Sequence, residues 1–254
     1  MSDPGVAHAL LAYGDELAET DKTGIVVAFT PNEEANRFVL DNPNAFLFAV
    51  IFDQGIQAER AWAAPYFLSQ RLGHFDLARI ASMTPSELSE VVARPPALHR
   101  YVNNVPDWLI AAAQKLLAEY DGDASNVWND QPTATDLISR LDAFKGIGPK
   151  KAAMATQMLL RDMRVAVRRT AGTQVAYDAH IRRVFLRTGL IRKDDPDEIN
   201  SVAKSFSPDD PGAMDLPAWY VGRNWCHPSD PECLACCLSH VCAKMVHLGR
   251  DFGY

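Results

Sequence analysis

Nowhere does the sequence hold an apolar run of the roughly 18 residues that a bilayer span requires. The candidate stretch, Ala45 to Phe52, is far too short. The opening Met1-Ser2-Asp3-Pro4-Gly5 lacks the basic-then-apolar pattern of a secretory signal. The expectation is a cytoplasmic protein, nucleoid-associated in a prokaryote, with no membrane partner. No cysteine precedes position 226, and the total of five is odd, which excludes a disulfide scaffold spread along a secreted chain. Few segments alternate with the period of a strand, and there is no fixed-period repeat, low-complexity tract or long linker. Positive charge is also in deficit. Lysine and arginine number 25 against 32 acids, a net −7, which argues mildly against a nucleic-acid partner because phosphate neutralisation supplies most non-specific affinity.

The charge that is present is unevenly spread. Arg161, Arg164, Arg168, Arg169, Arg182 and Arg183 crowd one stretch that contains only Asp162 and Asp178 as acids. The segment from Asp194 to Asp215 is acidic in turn. A solvated charge mosaic explains this, and so does an acidic body with one basic face.

Helical spacing dominates, and the expected class is all-α. Asp41-Asn42-Pro43 reads as a helix start, since proline in the first turn forfeits no helical bond. The apolar run behind it, Ala45 to Phe52, predicts a central, buried helix. Further helices are expected over Asp107–Tyr120 (closed by Gly122), Thr133–Phe144, Lys150–Met163 and from Asp178 to Leu186. Breaks fall at Arg94-Pro95-Pro96 and between Ser207 and Pro211.

Three groups of residues carry chemistry. The first is Lys145-Gly146-Ile147-Gly148-Pro149-Lys150-Lys151, a Gly-x-Gly turn between two helices. The glycines allow positive φ and close backbone approach, and the free amides of the second helix favour an anion such as a DNA phosphate. A plain helical corner would use the same residues. Two lysines at a helix start oppose its dipole and each other, which favours a neutral, nucleophilic amine. The second is Asp178 in Tyr177-Asp178-Ala179-His180-Ile181-Arg182-Arg183-Val184, which by itself reads best as an N-cap. The third is Cys226-x6-Cys233-x2-Cys236-x5-Cys242. Zinc sites normally use two short pairs across a longer loop, whereas four closely spaced thiolates suit a [4Fe–4S] cluster. Cys237 reads as a small buried residue.

Taken together, these elements resemble the endonuclease III branch of the helix-hairpin-helix DNA glycosylases, over roughly Asn42 to Lys244. The cysteine spacing is that family's cluster loop, and the stretch from Trp219 to Cys226 looks like its lead-in. The resemblance places Lys150 on the Schiff-base lysine and Asp178 on the catalytic aspartate. It also makes Gln54, in Val50-Ile51-Phe52-Asp53-Gln54, a wedge that fills the gap left by an extruded base. It implies two helical subdomains. One is a six-helix barrel over 39–162, with the hairpin motif at about 133–163. The other combines 1–38 with 163–254 around a cluster loop at 226–242, and the DNA cleft lies between them. The cluster is implied to be held by Cys226, Cys233, Cys236 and Cys242. DNA contacts are expected from Gln54, Leu98, His99, Arg100, Tyr101, Gly146, Gly148, Lys151, His180, Arg183 and Lys244. The implied activity is excision of a damaged or modified base, by default a pyrimidine, from double-stranded DNA, followed by strand nicking, in a monomer.

Several departures leave the substrate open. Ala49 stands where adenine-specific relatives keep a catalytic glutamate, and Lys150 does not fit the thymine-mismatch relatives that have lost lyase activity. Pro149 replaces a basic residue. The stretch from hairpin to Asp178 is about ten residues longer than the family's, and Pro95 to Tyr101 differs from its second wedge loop. A monofunctional glycosylase, a non-catalytic cluster-bearing DNA-binding protein and a zinc module are the alternatives.

Overall fold

Asn42 starts the helix around which the rest of the first core is arranged. Its side-chain oxygen accepts from the amides of Asn44 and Ala45, and Pro43 takes the first helical position. The result is α3 (Pro43–Phe52), in which every residue from Ala45 to Phe52 is buried. Burying each large apolar side chain contributes about 1.5–3 kcal/mol, so this short helix is held by packing rather than by its own propensity. The computed structural model describes residues 4–20 and 29–248.

Around α3 pack α2 (Glu33–Asp41), α4 (Ala58–Leu72) and α7 (Asn104–Glu119). Short helices α5 (Leu77–Ser82) and α6 (Pro85–Ala93) lie against α7. The hairpin pair α8 (Ala134–Asp142) and α9 (Pro149–Arg161) closes this cluster through Leu137, Leu141, Phe144, Ile147 and Leu159. Its buried members run from Phe29 to Leu159. Among the described residues there is no strand.

A second core gathers the two ends of the chain. α1 (Pro4–Thr20) packs on α12 (Asp215–Asn224), and α12 packs on α10 (Ala179–Thr188), with α11 (Pro196–Phe206) alongside. Val6, Leu10, Ile181, Phe185, Ile199, Val221 and Leu238 are buried there. The 3-10 turn Pro211–Met214 touches α9, α11 and α12, and so connects the two cores. No helix among the described residues is long and apolar enough to cross a membrane.

Candidate active site

The turn between α8 and α9 is built from both ends. Thr133 and Asp136 form a reciprocal capping box at the start of α8. Gly146 has φ +88°, and a Cβ there would lie 2.8 Å from the Trp108 ring, so no other residue fits without movement. Gly148 differs: its φ is −111° and nothing lies within 4 Å of where a Cβ would be. Gly146 is therefore demanded by packing, while Gly148 keeps the surface before α9 open. Pro149 has no N–H, and the amide of Ala152 bonds Gly148 O, so Lys150 and Lys151 carry the backbone amides left over at the helix start.

The two lysines of that first turn part company. Lys150 is exposed. Lys151 is 6% exposed, and its Nζ donates to Ile51 O at 3.0 Å, on the last turn of α3. It lies 6.0 Å from the Trp108 ring centroid. Burial pushes the Lys151 pKa from 10.5 down to about 8, partly opposed by Asp53 and assisted by Lys150. The sequence expected a lysine at this helix start to lose proton affinity. The structure gives that property to Lys151, with burial rather than the dipole as its main cause.

This has a consequence for stability. Between pH 8 and 10.5 the unfolded chain binds a proton at position 151 that the folded chain does not, so stability rises with pH across that window. Relative to Lys151→Met, the native protein should gain about 3 kcal/mol from pH 8 to pH 10.5. Parallel denaturation midpoints for the two proteins across that range would refute the assignment.

Asp178 caps α10. Both cap bonds, from the amides of His180 and Ile181 at 2.8 Å, go to Oδ1. Oδ2 is left outside the cap. Two further carboxylates feel the same charges. Asp53 closes α3, its own amide bonded to Ala49 O at 3.0 Å. Burial raises its pKa; the charges of Lys150 and Lys151 and the nearby Trp62 indole oppose the rise, and Asp178 adds to it. Asp215, on the first turn of α12, accepts from the Ala176 amide at 2.6 Å. Burial pushes it up to about 7. The Ala176 bond opposes this, Asp178 adds to it, and Arg161 and Lys150 pull downward. Lys150 and Asp178 thus both act on Asp53 and on Asp215, which puts all four in one electrostatic neighbourhood. Neither Asp53 nor Asp215 was singled out from the sequence. The available signal for Asp53 was an acid at the carboxyl end of an apolar helix, where the dipole disfavours it.

Gln54 follows Asp53 and is exposed. Beside it, Arg100 donates to Gly55 O at 3.2 Å and lies 5.0 Å from the Tyr101 ring centroid. The Tyr101 ring would lie within 3.1–3.5 Å of a Cβ on Gly55. The two expected wedge loops therefore touch. The second is pinned from behind by Arg71, whose guanidinium bonds Val91 O, Arg94 O and Pro96 O at 2.7–2.9 Å.

Four residues expected at DNA are instead turned inward: Leu98, His99, Lys151 and Arg183, none more than 6% exposed. His99 Nδ1 accepts from the Tyr101 amide at 2.9 Å and its ring packs on Phe52 and Tyr101, so it shapes the loop from inside. Arg183 donates to Cys226 O, Ala179 O and Gly222 O at 2.5–2.8 Å, locking α10 to α12. His180 is partly buried, with Nδ1 3.0 Å from Arg183 Nη2. Lys244 is exposed two residues past Cys242. The arginine-rich insertion folds back on the start of α8, with Arg168 N bonded to Pro132 O and Ala134 N to Arg169 O. That is the end of the hairpin remote from Gly146.

Cys226, Cys233, Cys236 and Cys242 line one small pocket bounded by Val184, Thr188 and Val221. Cys237 is not among its lining residues. Arg187, 1% exposed, spans the loop: it donates to Leu248 O, His227 O and Pro228 O and lies 3.7 Å from Cys226 Sγ. Among the described residues no cluster of three or more His, Cys, Asp or Glu side chains has metal-holding geometry.

Solved structures share this architecture. An endonuclease III in a trapped covalent complex with DNA aligns over 96% of this chain and 97% of its own, with TM-score 0.67 and 17% identity. A thermostable thymine-DNA glycosylase aligns over 94% of each chain, with TM-score 0.62 and 14% identity. The 8-oxoguanine DNA glycosylase of Thermotoga maritima covers 85% of this chain and 97% of its own, with TM-score 0.52 and 19% identity. No family model and no curated protein matches the sequence. The chain has the all-helical helix-hairpin-helix fold of these glycosylases.

Proposed function

We propose that this helix-hairpin-helix chain is a DNA N-glycosylase with AP lyase activity, acting on a damaged or modified base in double-stranded DNA. The reading is supported by the helix-hairpin-helix fold shared with solved DNA glycosylases, together with an exposed Lys150 on the first turn of α9 and an Asp178 carboxylate fixed as the cap of α10. A base must leave the stack before its glycosidic bond is accessible, at a cost of a few kcal/mol that is least for a damaged pair. Gln54 and Arg100 are placed to fill the gap, with Tyr101 behind Arg100. The open surface at Gly148 and the amides of α9 hold the backbone phosphate. His180 and Lys244 are further contacts in this reading.

Neutral Lys150 nitrogen attacks C1′. The new C1′–N bond forms as the glycosidic bond breaks, and the departing base takes the electron pair and a proton from water. Asp178 Oδ2 stabilises positive charge developing on the sugar and receives the amine's proton. Ring opening gives the imine, after which loss of a C2′ proton expels the 3′ phosphate and nicks the strand.

In this reading residues 39–162 form one subdomain and 1–38 with 163–254 the other, with DNA between them. Four thiols lining one pocket are the donor set of a [4Fe–4S] cluster; burial raises the Cys226 thiol, and the Arg187 guanidinium beside it opposes that rise. When bound, the cluster supplies a rigid cross-link for the C-terminal loop. The purified protein should then show broad visible absorption that disappears in Cys233→Ser. A colourless protein would point to zinc or no metal.

The deciding experiment is a panel of duplexes, each with one modified base, scored separately for excision and for nicking. Excision with nicking supports the proposal, and abasic product without nicking replaces it by a monofunctional enzyme. Neither product across the panel overturns it.

A further inference from the structure

The long stretch between the hairpin and Asp178 has no part in the reaction described above, yet it is fastened along its length. Thr173 accepts from the Gly212 amide at 2.9 Å and donates to Asp210 Oδ1 at 2.5 Å. Next come Val175 and Ala176, both buried and outside any helix. A buried N–H without a partner is costly, so such a segment must find acceptors among side chains. Two helices of the second core supply them. The Val175 amide donates to Asn200 Oδ1 of α11 at 2.9 Å, and the Ala176 amide to Asp215 Oδ1 of α12 at 2.6 Å. Asp215 is itself buried, and burial works against its charge. What a carboxylate adds over a neutral acceptor is a tighter hold on the N–H. Two residues beyond Ala176 stands Asp178.

We propose that Asp215 and Asn200 are positioning residues that aim the Asp178 carboxylate, an inference that rests on the reading of Asp178 as a catalytic group. The cap bonds from His180 and Ile181 fix Asp178 Oδ1 relative to α10. They do not fix the backbone that enters the cap. The bonds to the amides of 175 and 176 do, by tying the entering chain to α11 and α12. On the far side, Arg183 of α10 donates to Gly222 O of α12 at 2.8 Å. One helix, α12, thus holds Asp178 from both directions, through Asp215 before it and Gly222 after it. The oxygen left outside the cap then keeps one orientation. A shift of about 1 Å at a reacting group can cost on the order of 10²-fold in rate, so bonds that never touch DNA reach the reaction through geometry.

The test is single-turnover nicking of a duplex with a preformed abasic site, or excision of the preferred base if the native protein does not nick, with the dissociation constant measured beside the rate. Asp215→Ala should slow the reaction about 10- to 100-fold while binding changes by less than about threefold. Asp215→Asn removes the charge but keeps an acceptor for Ala176, and should return the rate to within about fivefold of native. Asn200→Ala should act in the same direction by about 3- to 10-fold, and it carries the test if thermal unfolding shows Asp215→Ala to be unfolded. In an Asp178→Asn background neither alanine variant should slow the reaction further, because no carboxylate is left to aim. Losses that multiply in that background, or native rates in both alanine variants, overturn the inference and leave two structural supports. Asp215→Asn as slow as Asp215→Ala overturns it too, by making the charge the cause. A native rate in Asp178→Asn alone is the separate failure, which ends the catalytic reading of Asp178 and the inference with it.

Discussion

Lys150→Ala should reduce the borohydride-trapped adduct to background, a loss on the order of 10³-fold or more, while the protein folds as before. The fold survives because the side chain is exposed on the first turn of α9 and alanine is the best helix former. Lys151 does not rescue the variant, since its amine is buried and bonded to Ile51 O, and its neighbour's removal gives it no path to the surface. The adjacent lysine thus serves as a control inside the same molecule. Persistent adduct in Lys150→Ala would transfer the nucleophile to Lys151 and mean that the buried arrangement opens on DNA. Loss of nicking with excision intact would make the enzyme monofunctional, with water as nucleophile.

Asp178→Asn is the second large effect, and the cap geometry makes it a clean substitution. Both helix-cap bonds fall on one carboxylate oxygen, and an asparagine oxygen accepts them equally well. What disappears is the charge. Base excision should fall by about 10²- to 10⁴-fold, with the melting temperature close to that of the native protein and DNA binding retained or tightened. Asp178→Ala, by contrast, should also lose about 1 kcal/mol of stability with the cap. Equal losses of binding and excision in Asp178→Asn would mean that the carboxylate organises the DNA surface rather than the reaction.

Asp178 also shows why a local reading and a functional one need not compete. Taken blind, the residue reads best as an N-cap, and it is one. The cap freezes the side chain's rotamer and leaves one oxygen free of helix duties, which is the condition a carboxylate needs to act on a neighbour. The pair at 150 and 151 teaches the opposite lesson. Two identical residues in sequence differ completely in the fold, because successive positions on a helix point about 100° apart and one of those directions meets α3.

Several features were legible without coordinates because their signals are local. The central helix follows from Asn42-Pro43 and the apolar run to Phe52, and the hairpin from Gly146 and Gly148. The helices over α7, α8, α9 and α10 follow from apolar spacing, with ends displaced by a few residues. The spacing of Cys226, Cys233, Cys236 and Cys242 suits a shared site, and these four line one pocket.

Residue order alone therefore fixes the short-range patterns: which segments coil, where they are capped, and which residue types stand ready for chemistry. Which of those residues face outward depends on packing between distant elements. Arg183 and His99, both polar, are consumed in holding α10 to α12 and the second loop to α3, while Asp53, given no role beforehand, is acted on by the charges of both lysines. The physical reason is that a side chain's surroundings come mostly from elements distant in sequence, and burial, counter-charge and hydrogen-bond partners are properties of those surroundings and not of the residue.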